Sequence, residues 1–232
     1  MSTHPDSQTP AAPDAPLFRT SLEEVVVGSM VLRLHVVSDI DEAIDHYVAT
    51  APDDTCQIPY YTRLWESSLA LAEAMAARPA LWPGRRVLEL GCGLGLPAMV
   101  AARLGARVTA TDFHPDNEAF FLRNAHDNGL ADIRYERLDW RRPHLEGDFD
   151  IVLGSDLIYE REMVQPFVQC ARRYCAPGGL LFFADPGRRN LQDACDALDA
   201  AGFAGDFEPR GEIYVFTLRR SGGAAAGVTG LV

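Results

Sequence analysis

The sequence has no uninterrupted apolar run that approaches the ~18–20 residues needed by a membrane-spanning helix. It is also poor in basic residues, with 21 Lys plus Arg against 33 Asp plus Glu and a formal net charge of −12. Nucleic-acid binders draw much of their affinity from Lys and Arg contacts with phosphates. We therefore predict that the protein neither spans a membrane nor binds nucleic acid.

Cysteine and histidine are sparse and show no ligand pattern. The five cysteines form no C-x-x-C pair, and the six histidines are scattered, so no disulfide framework and no metal site is indicated. The first basic residue is Arg19, and four prolines precede it, which does not fit a secretory or transit peptide. These features predict a cytoplasmic protein with reduced thiols and no metal, and we expect it to be a monomer.

The distribution of apolar residues predicts the domain organisation. A hydrophobic fraction of 47% is ample for a packed core. We predict one α/β domain over residues 21–219, of which 21–58 form an N-terminal extension made of a β-hairpin and a helix. Disordered tails are predicted for residues 1–20 and 220–232.

Short apolar strands alternate with helices that end at glycines, a pattern typical of a parallel sheet covered on both faces. The predicted order is strand 86–90, helix 96–104, strand 107–111, helix 115–128, strands 133–137 and 150–154, helix 162–174, a turn at 175–179, strand 180–184, helix 191–201 and a closing hairpin of 203–208 and 212–218. Ahead of them come a hairpin around Gly28, a short helix over 41–48, a loop over 52–59 and a helix over 64–77. The closing hairpin supplies an antiparallel strand.

The most informative stretch is the glycine-rich turn after the strand at 86–90. Gly91, Gly93 and Gly95 occupy alternate positions, with Cys92 between the first two, and glycine allows a sharp turn and close approach of a ligand. The dinucleotide fingerprint G-x-G-x-x-G would need glycine at position 96, where leucine stands. Glu89 precedes the turn and would repel phosphate, so we predict a ligand with a cationic end, such as S-adenosylmethionine (SAM).

Acidic residues also follow the next two strands, where ligands bind in open α/β sheets. Asp112 closes the second strand of the alternation, and its carboxylate can accept both hydroxyls of a ribose. Asp139 follows the third strand beside Trp140, and an acceptor next to an indole suits the amino group and ring face of adenine. Together with Glu89 and the glycines, these residues predict an adenosyl-cofactor site.

The segment after the fourth strand resembles the seven-β-strand protein lysine methyltransferases. Their D-x-x-Y signature is matched by Asp156 and Tyr159. Trp65, within Pro59–Ser67, matches a tryptophan that the family carries ahead of its glycine motif. Asp185-Pro186-Gly187-Arg188 is similar to the branch that methylates the β-subunit of electron-transfer flavoprotein.

The resemblance covers roughly residues 57–190. It implies a Rossmann-like sheet with strand order 3-2-1-4-5-7-6 and an antiparallel last strand, SAM as the cofactor, and transfer of methyl to a lysine ε-amine of a protein substrate. The β-subunit of electron-transfer flavoprotein is one candidate substrate. The implied cofactor contacts are Trp65, Gly91, Gly93, Asp112, Trp140 and Ser155. Asp156 and Tyr159 are implied to face the incoming amine.

Two other functions remain open on these residues. The same fold could methylate a small amine or another small nucleophile, because function belongs to the site and not to the fold. The chain could also be a cofactor-binding partner subunit without catalysis, although intact Trp65, Asp156 and Tyr159 argue against that. A nucleic-acid amino-methyltransferase would carry prolines where Leu157 and Ile158 stand.

Overall fold

A computed structural model describes residues 18–50 and 58–222 of the chain. The helices and strands are β1 Thr20–Val27, β2 Met30–Val37, α1 Ile40–Thr50, α2 Glu66–Ala76, β3 Arg86–Leu90, α3 Leu96–Arg103, β4 Arg107–Asp112, α4 Asn117–Asp127, β5 Arg134–Arg137, β6 Phe149–Ser155, α5 Val164–Tyr174, β7 Cys175–Asp185, α6 Leu191–Ala200, β8 Phe203–Arg210 and β9 Ile213–Arg220. Short 3₁₀ turns cover 60–62, 79–81 and 161–163.

The centre of the fold is a seven-stranded sheet in the order β5-β4-β3-β6-β7-β9-β8. Counted from β3, this is the order 3-2-1-4-5-7-6 that the family resemblance implied, and the prediction is confirmed. Strands β3 to β7 pair in parallel, whereas β9 runs antiparallel to both of its neighbours. The connection order reverses at β3, so the carboxyl ends of β4, β3 and β6 open onto one crevice, where such sheets bind ligands.

The apolar strands are buried because helices cover both faces of the sheet. Val87, Leu88 and Leu90 of β3 are fully buried, as are Val152 and Leu153 of β6. This is the pattern expected of central parallel strands. None of the helices within the described residues has the length and apolar character that a bilayer crossing requires.

The N-terminal extension is attached to the domain through polar contacts with α4 and the segment before it. Strands β1 and β2 form their own antiparallel pair. The backbone N–H of His35 donates to Asn124 Oδ1 at 2.7 Å, and the Tyr47 hydroxyl of α1 donates to Asp116 Oδ2 at 2.6 Å. The extension therefore lies beside the loop that follows β4.

The structure corrects two local predictions. The tail boundary at residue 20 is wrong, because Phe18 is buried in the core and β1 already begins at Thr20. The turn predicted over 175–179 lies inside β7: Cys175 pairs with Phe149, and the pairing resumes at Leu180. The residues between them form a bulge, which the positive φ of Gly178 accommodates.

Other predicted boundaries differ by a few residues or lie outside the described ranges. The helix predicted from Pro115 begins at Asn117. Most of the predicted loop at 52–59, including Cys56, and most of the two tails fall outside the residues that the structure describes.

Candidate active site

The glycine-rich turn forms the floor of the crevice. Gly91, Gly93 and Gly95 all have positive φ, at 62°, 51° and 85°, a conformation that costs residues with a Cβ about 1–2 kcal/mol. Space is limiting as well, since a Cβ on Gly91 would lie 2.6 Å from Leu157 Cδ2. The N–H of Cys92 donates to the carbonyl of Thr111 at 2.8 Å, which ties the turn to β4.

Asp112 links the turn to the end of β4. Its Oδ2 accepts the N–H of Gly93 at 2.9 Å, and its Oδ1 accepts the N–H of His114 at 3.0 Å. Burial raises the pKa of this carboxyl, and the two backbone donors act against that rise. The side chain lines the crevice, and each carboxylate oxygen has a further lone pair available to a hydroxyl.

Asp139 and Trp140 form the adjacent wall. Asp139 Oδ1 accepts hydrogen bonds from the backbone N–H and the Nε of Arg141 at 3.0 and 2.9 Å. Burial acts to raise the pKa of Asp139, but the Arg141 contacts prevail and lower it on balance, so the group is a carboxylate near neutral pH. Trp140 packs against Phe167 with ring centroids 6.0 Å apart, which fixes the indole beside Gly91.

Trp65 stands at the rim of the crevice, directly before α2. Its Nε1 donates to the carbonyl of Tyr60 at 2.9 Å, and the Arg63 guanidinium lies 5.4 Å from the centroid of its ring. The ring of Tyr60 lies 6.2 Å from Trp65 and 5.4 Å from Tyr159. Tyr60 and Tyr159 are 40% and 44% exposed, so the opening is bordered by aromatic faces that solvent reaches.

Ser155, Asp156 and Tyr159 enter the crevice from the end of β6. Asp156 is the one residue other than glycine with a positive φ, at 61°, in the part of the chain that the structure describes. Its N–H donates to the carbonyl of Ala184 at 2.9 Å, which holds the segment against β7. This conformation directs the D-x-x-Y segment along the crevice, and Asp156 and Tyr159 line it together with Ser155.

Of the twelve side chains or glycines predicted for the site, eleven line this single crevice. They are Trp65, Gly91, Cys92, Gly93, Gly95, Asp112, Asp139, Trp140, Ser155, Asp156 and Tyr159. The twelfth, Glu89, is fully buried behind the turn and is not among the lining residues. The roles of these residues stay predictions.

Glu89 instead supports the turn from behind. Its Oε2 accepts the N–H of Ala98 in the first turn of α3 at 2.9 Å. Complete burial raises the pKa of the carboxyl well above its usual value, which the Ala98 donor opposes and the nearby Asp112 carboxylate increases. In the folded protein the Glu89 carboxyl is therefore harder to ionise than in the unfolded chain.

This burial predicts a pH-dependent contribution to stability. The folded-state pKa of Glu89 lies above the unfolded value of about 4.3. Between these two pKa values the unfolded chain ionises Glu89 more readily than the folded protein does, so wild type loses stability as pH rises through this range. Glu89→Gln keeps an acceptor for Ala98 and removes the ionisation. We expect its urea midpoint, relative to wild type, to be higher at pH 8 than at pH 5. Glu118→Gln, the same change at an exposed position of α4, is the control, and an equal difference at both pH values would contradict the prediction.

Tyr61 and His114 also line the crevice and were not predicted for the site from the sequence, and Tyr47 packs behind them against His114. His114 is buried between the rings of Tyr47 and Tyr61, at centroid distances of 4.9 and 4.5 Å, and its Nδ1 accepts the N–H of Asp116. The Tyr47 and Tyr61 hydroxyls lie 3.1 Å apart. The pKa of each of these two hydroxyls is raised, mainly by burial. Tyr60 and Tyr61 belong to the same segment, Pro59–Ser67, that carries Trp65, so the family resemblance of that segment could have indicated them.

Arg188, which the sequence analysis noted only as part of the D-P-G-R segment, also contacts the site. It forms an ion pair with Asp156, and its Nη1 lies 3.8 Å from Asp185 Oδ2. Within the described residues, no group of three or more His, Cys, Asp and Glu side chains is arranged to hold a metal ion.

The lining fits the parts of SAM. The turn has no side chain on Gly91, Gly93 or Gly95 that would fill the floor, and Gly93 lies opposite the backbone of Tyr61, where an added Cβ would be 3.7 Å away. Asp112 offers carboxylate oxygens to ribose hydroxyls. Asp139 and Trp140 offer an acceptor and a ring face to adenine.

Comparison with known proteins agrees with this site. A family model described as "Methyltransferase domain" matches residues 88–183. The chain is 37% identical over 134 residues to a ubiquinone biosynthesis O-methyltransferase of Methylocella silvestris, covering 55% of this chain and 50% of that protein. It is 33% identical over 113 residues to protein N-lysine methyltransferase METTL21A of Danio rerio, covering 46% and 51%.

A third relative belongs, by its name, to the branch that the D-P-G-R segment resembles. The chain is 29% identical over 140 residues to the electron transfer flavoprotein beta subunit lysine methyltransferase of Danio rerio, covering 58% of this chain and 53% of that protein. The chain thus spans about half the length of these curated relatives. Among solved structures, a T. thermophilus 16S rRNA N2 methyltransferase in complex with AdoMet has a TM-score of 0.65 at 19% identity, covering 89% of this chain and 52% of that chain, and shares the fold.

The sheet order, the glycine turn and these matches are those of class I SAM-dependent methyltransferases, and they support SAM as the cofactor of this domain. Within that class, the matches to lysine methyltransferases support the family that Asp156 and Tyr159 had indicated.

Proposed function

We propose that this methyltransferase modifies a lysine ε-amine of a protein substrate. One observation carries the proposal: Asp156 and Tyr159 line the same crevice as the glycine turn and Asp112. A carboxylate and an aromatic ring at the opening suit an amine, because the carboxylate attracts the ammonium and the ring face attracts its methyl groups.

The chemistry sets what these residues must do. A lysine with a pKa near 10.4 is neutral in about one molecule in 2,500 at pH 7, and loss of its proton costs about 4.6 kcal/mol. Bound SAM supplies an electrophilic methyl group, and alignment of two reactants contributes roughly 7–11 kcal/mol. Asp156 therefore orients the amine, and Tyr159 holds it against the opening.

The exposed rim of the crevice favours, as methyl acceptor, a side chain that belongs to a macromolecule. Tyr60 and Tyr159 border the opening in contact with solvent, so a lysine can enter while its protein stays outside. The net charge of −12 suits a basic partner. Two relatives are named for protein lysine methylation, one of them for the β-subunit of electron-transfer flavoprotein, which makes that subunit the first substrate to test. A cytoplasmic location and a monomeric state belong to the same proposal.

A second candidate is methylation of a small molecule at oxygen. It rests on the 37% identity to a ubiquinone biosynthesis O-methyltransferase. In that reaction the acceptor is a hydroxyl, and the Asp156 carboxylate would orient a donor hydrogen in place of an ammonium.

One labelling experiment separates the two candidates. The protein is incubated with SAM carrying a radiolabelled methyl group and an extract of its own organism, which is then divided into protein and lipid fractions. All 21 basic residues counted as Lys plus Arg are arginines, so methyl-lysine in a protein hydrolysate cannot come from the enzyme itself. Labelled methyl-lysine supports the proposal. Label confined to a lipid or other small molecule overturns it and supports the second candidate.

A further inference from the structure

Asp156 does not stand alone at the opening, because the loop after β7 brings a cation against it. Asp185 closes β7 and is buried, and its Oδ1 accepts the N–H groups of Gly187 and Arg188 at 2.9 and 2.8 Å. These bonds turn the loop back on itself. The turn directs Arg188 toward β6, where its Nη1 pairs with Asp156 Oδ1.

Packing fixes this loop from the other side. Gly187 has φ of 81°, and a Cβ there would lie 3.0 Å from Cε2 of Tyr214 on β9. The side chains of Asp156 and Asp185 are only 9% and 1% exposed, whereas that of Arg188 is 28% exposed. Two nearly buried carboxylates thus share one guanidinium, and such groups are costly to bury unless they are paired.

The arrangement has consequences for an incoming amine. With both carboxylates ionised, the three groups carry one net negative charge, which one ammonium would neutralise. Arg188 engages Oδ1 of Asp156 and leaves Oδ2 for that ammonium. The left-handed backbone of Asp156 and the ion pair together limit the orientations open to the carboxylate, and backbone strain of this kind is concentrated at functional sites.

We propose that Arg188 is a positioning residue for methyl transfer, acting through Asp156 to hold the carboxylate toward the amine; this rests on the proposed function. Asp185 in turn fixes Arg188 through the loop. Arg188 makes no contribution to SAM binding on this view, since it is absent from the residues that line the crevice.

The test compares Arg188→Met with Arg189→Met, which removes the same charge from the exposed neighbouring position. Methyl-lysine formation in the labelled extract is the readout, and S-adenosylhomocysteine affinity and the thermal midpoint are measured in parallel. We expect Arg188→Met to slow labelling at least tenfold with affinity unchanged, and Arg189→Met to stay within twofold of wild type.

A double-mutant comparison distinguishes positioning from a general structural role. If Arg188 acts through Asp156, then adding Arg188→Met to Asp156→Asn slows the residual labelling by less than twofold. Independent, multiplying losses would overturn the inference, as would equal rates for Arg188→Met and Arg189→Met. If wild type forms no methyl-lysine at all, the proposed function fails and the inference fails with it. If wild type forms methyl-lysine and Arg188→Met forms it at the same rate, the proposed function stands and only the inference about Arg188 fails.

Discussion

Replacement of Asp156 is expected to reduce turnover to a small residual rate while the cofactor still binds. Asp156→Ala removes the carboxylate that orients the amine, and misplacement on the order of 1 Å costs about 100-fold in rate. We therefore expect methyl-lysine formation to fall at least 100-fold. Isothermal titration with S-adenosylhomocysteine is expected to give an affinity within about threefold of wild type, because the contacts predicted for the cofactor come from other residues.

The backbone at Asp156 decides which variant makes the cleaner test. Its φ of 61° costs alanine about 1–2 kcal/mol, so Asp156→Ala is also expected to unfold at lower temperature. Asp156→Asn avoids this problem, since asparagine tolerates the left-handed region and keeps the shape of the side chain. We expect the same loss of turnover from Asp156→Asn with a near-native thermal midpoint. Normal turnover in this variant would remove Asp156 from the active site.

The sequence predicted most of the site because parallel strands place their carboxyl ends at one edge. Gly91, Asp112, Asp139 and Asp156 follow four strands of the alternation, and the strand order puts those ends around one crevice. No side-chain contact had to be known for that inference. The same reasoning misplaced Glu89, since residues of a strand alternate between the faces of a sheet and a position two before the turn lies inside the core.

Local sequence patterns did not predict contacts between residues that are distant in the sequence. The ion pair of Arg188 joins residues 32 positions apart across the ends of β6 and β7, and nothing in the D-P-G-R motif identifies Asp156 as the partner. Similarly, His114 reads as a loop residue until α1 and the segment at 60–62 pack against it. The bulge after Cys175 was mistaken for a turn because Pro177, Gly178 and Gly179 favour both, and only the pairing with β6 decides between them.

The second large effect is expected from a substitution in the glycine turn, where an added side chain would overlap a neighbouring residue. Gly95 precedes α3 with φ of 85°, and a Cβ there would lie 2.5 Å from Cε2 of Phe121. Phe121 is fully buried and packs against Tyr135 with ring centroids 5.4 Å apart, so its ring has little freedom to move away. For Gly95→Ala we expect a loss of about 2–5 kcal/mol in the free energy of unfolding, from backbone strain and overpacking together.

Gly129→Ala is the matched control for this change. Gly129 also has a positive φ, at 69°, but an added Cβ there would meet nothing within 4 Å. The control is therefore expected to lose only the backbone term of about 1–2 kcal/mol and to bind S-adenosylhomocysteine normally. Gly95→Ala, in contrast, displaces the turn that lines the crevice, and its affinity is expected to fall at least tenfold.

Urea unfolding and calorimetry of the three proteins decide the question, and Gly93→Ala extends the test if Gly95→Ala does not fold. At Gly93 the nearest atoms to an added Cβ are 3.7 Å away, so that variant carries strain without overlap. Equal losses of stability at Gly95 and Gly129 would mean that Phe121 moves aside freely. Wild-type affinity in Gly93→Ala would mean that the floor of the crevice accepts a side chain beside the cofactor, contrary to the role assigned to the turn.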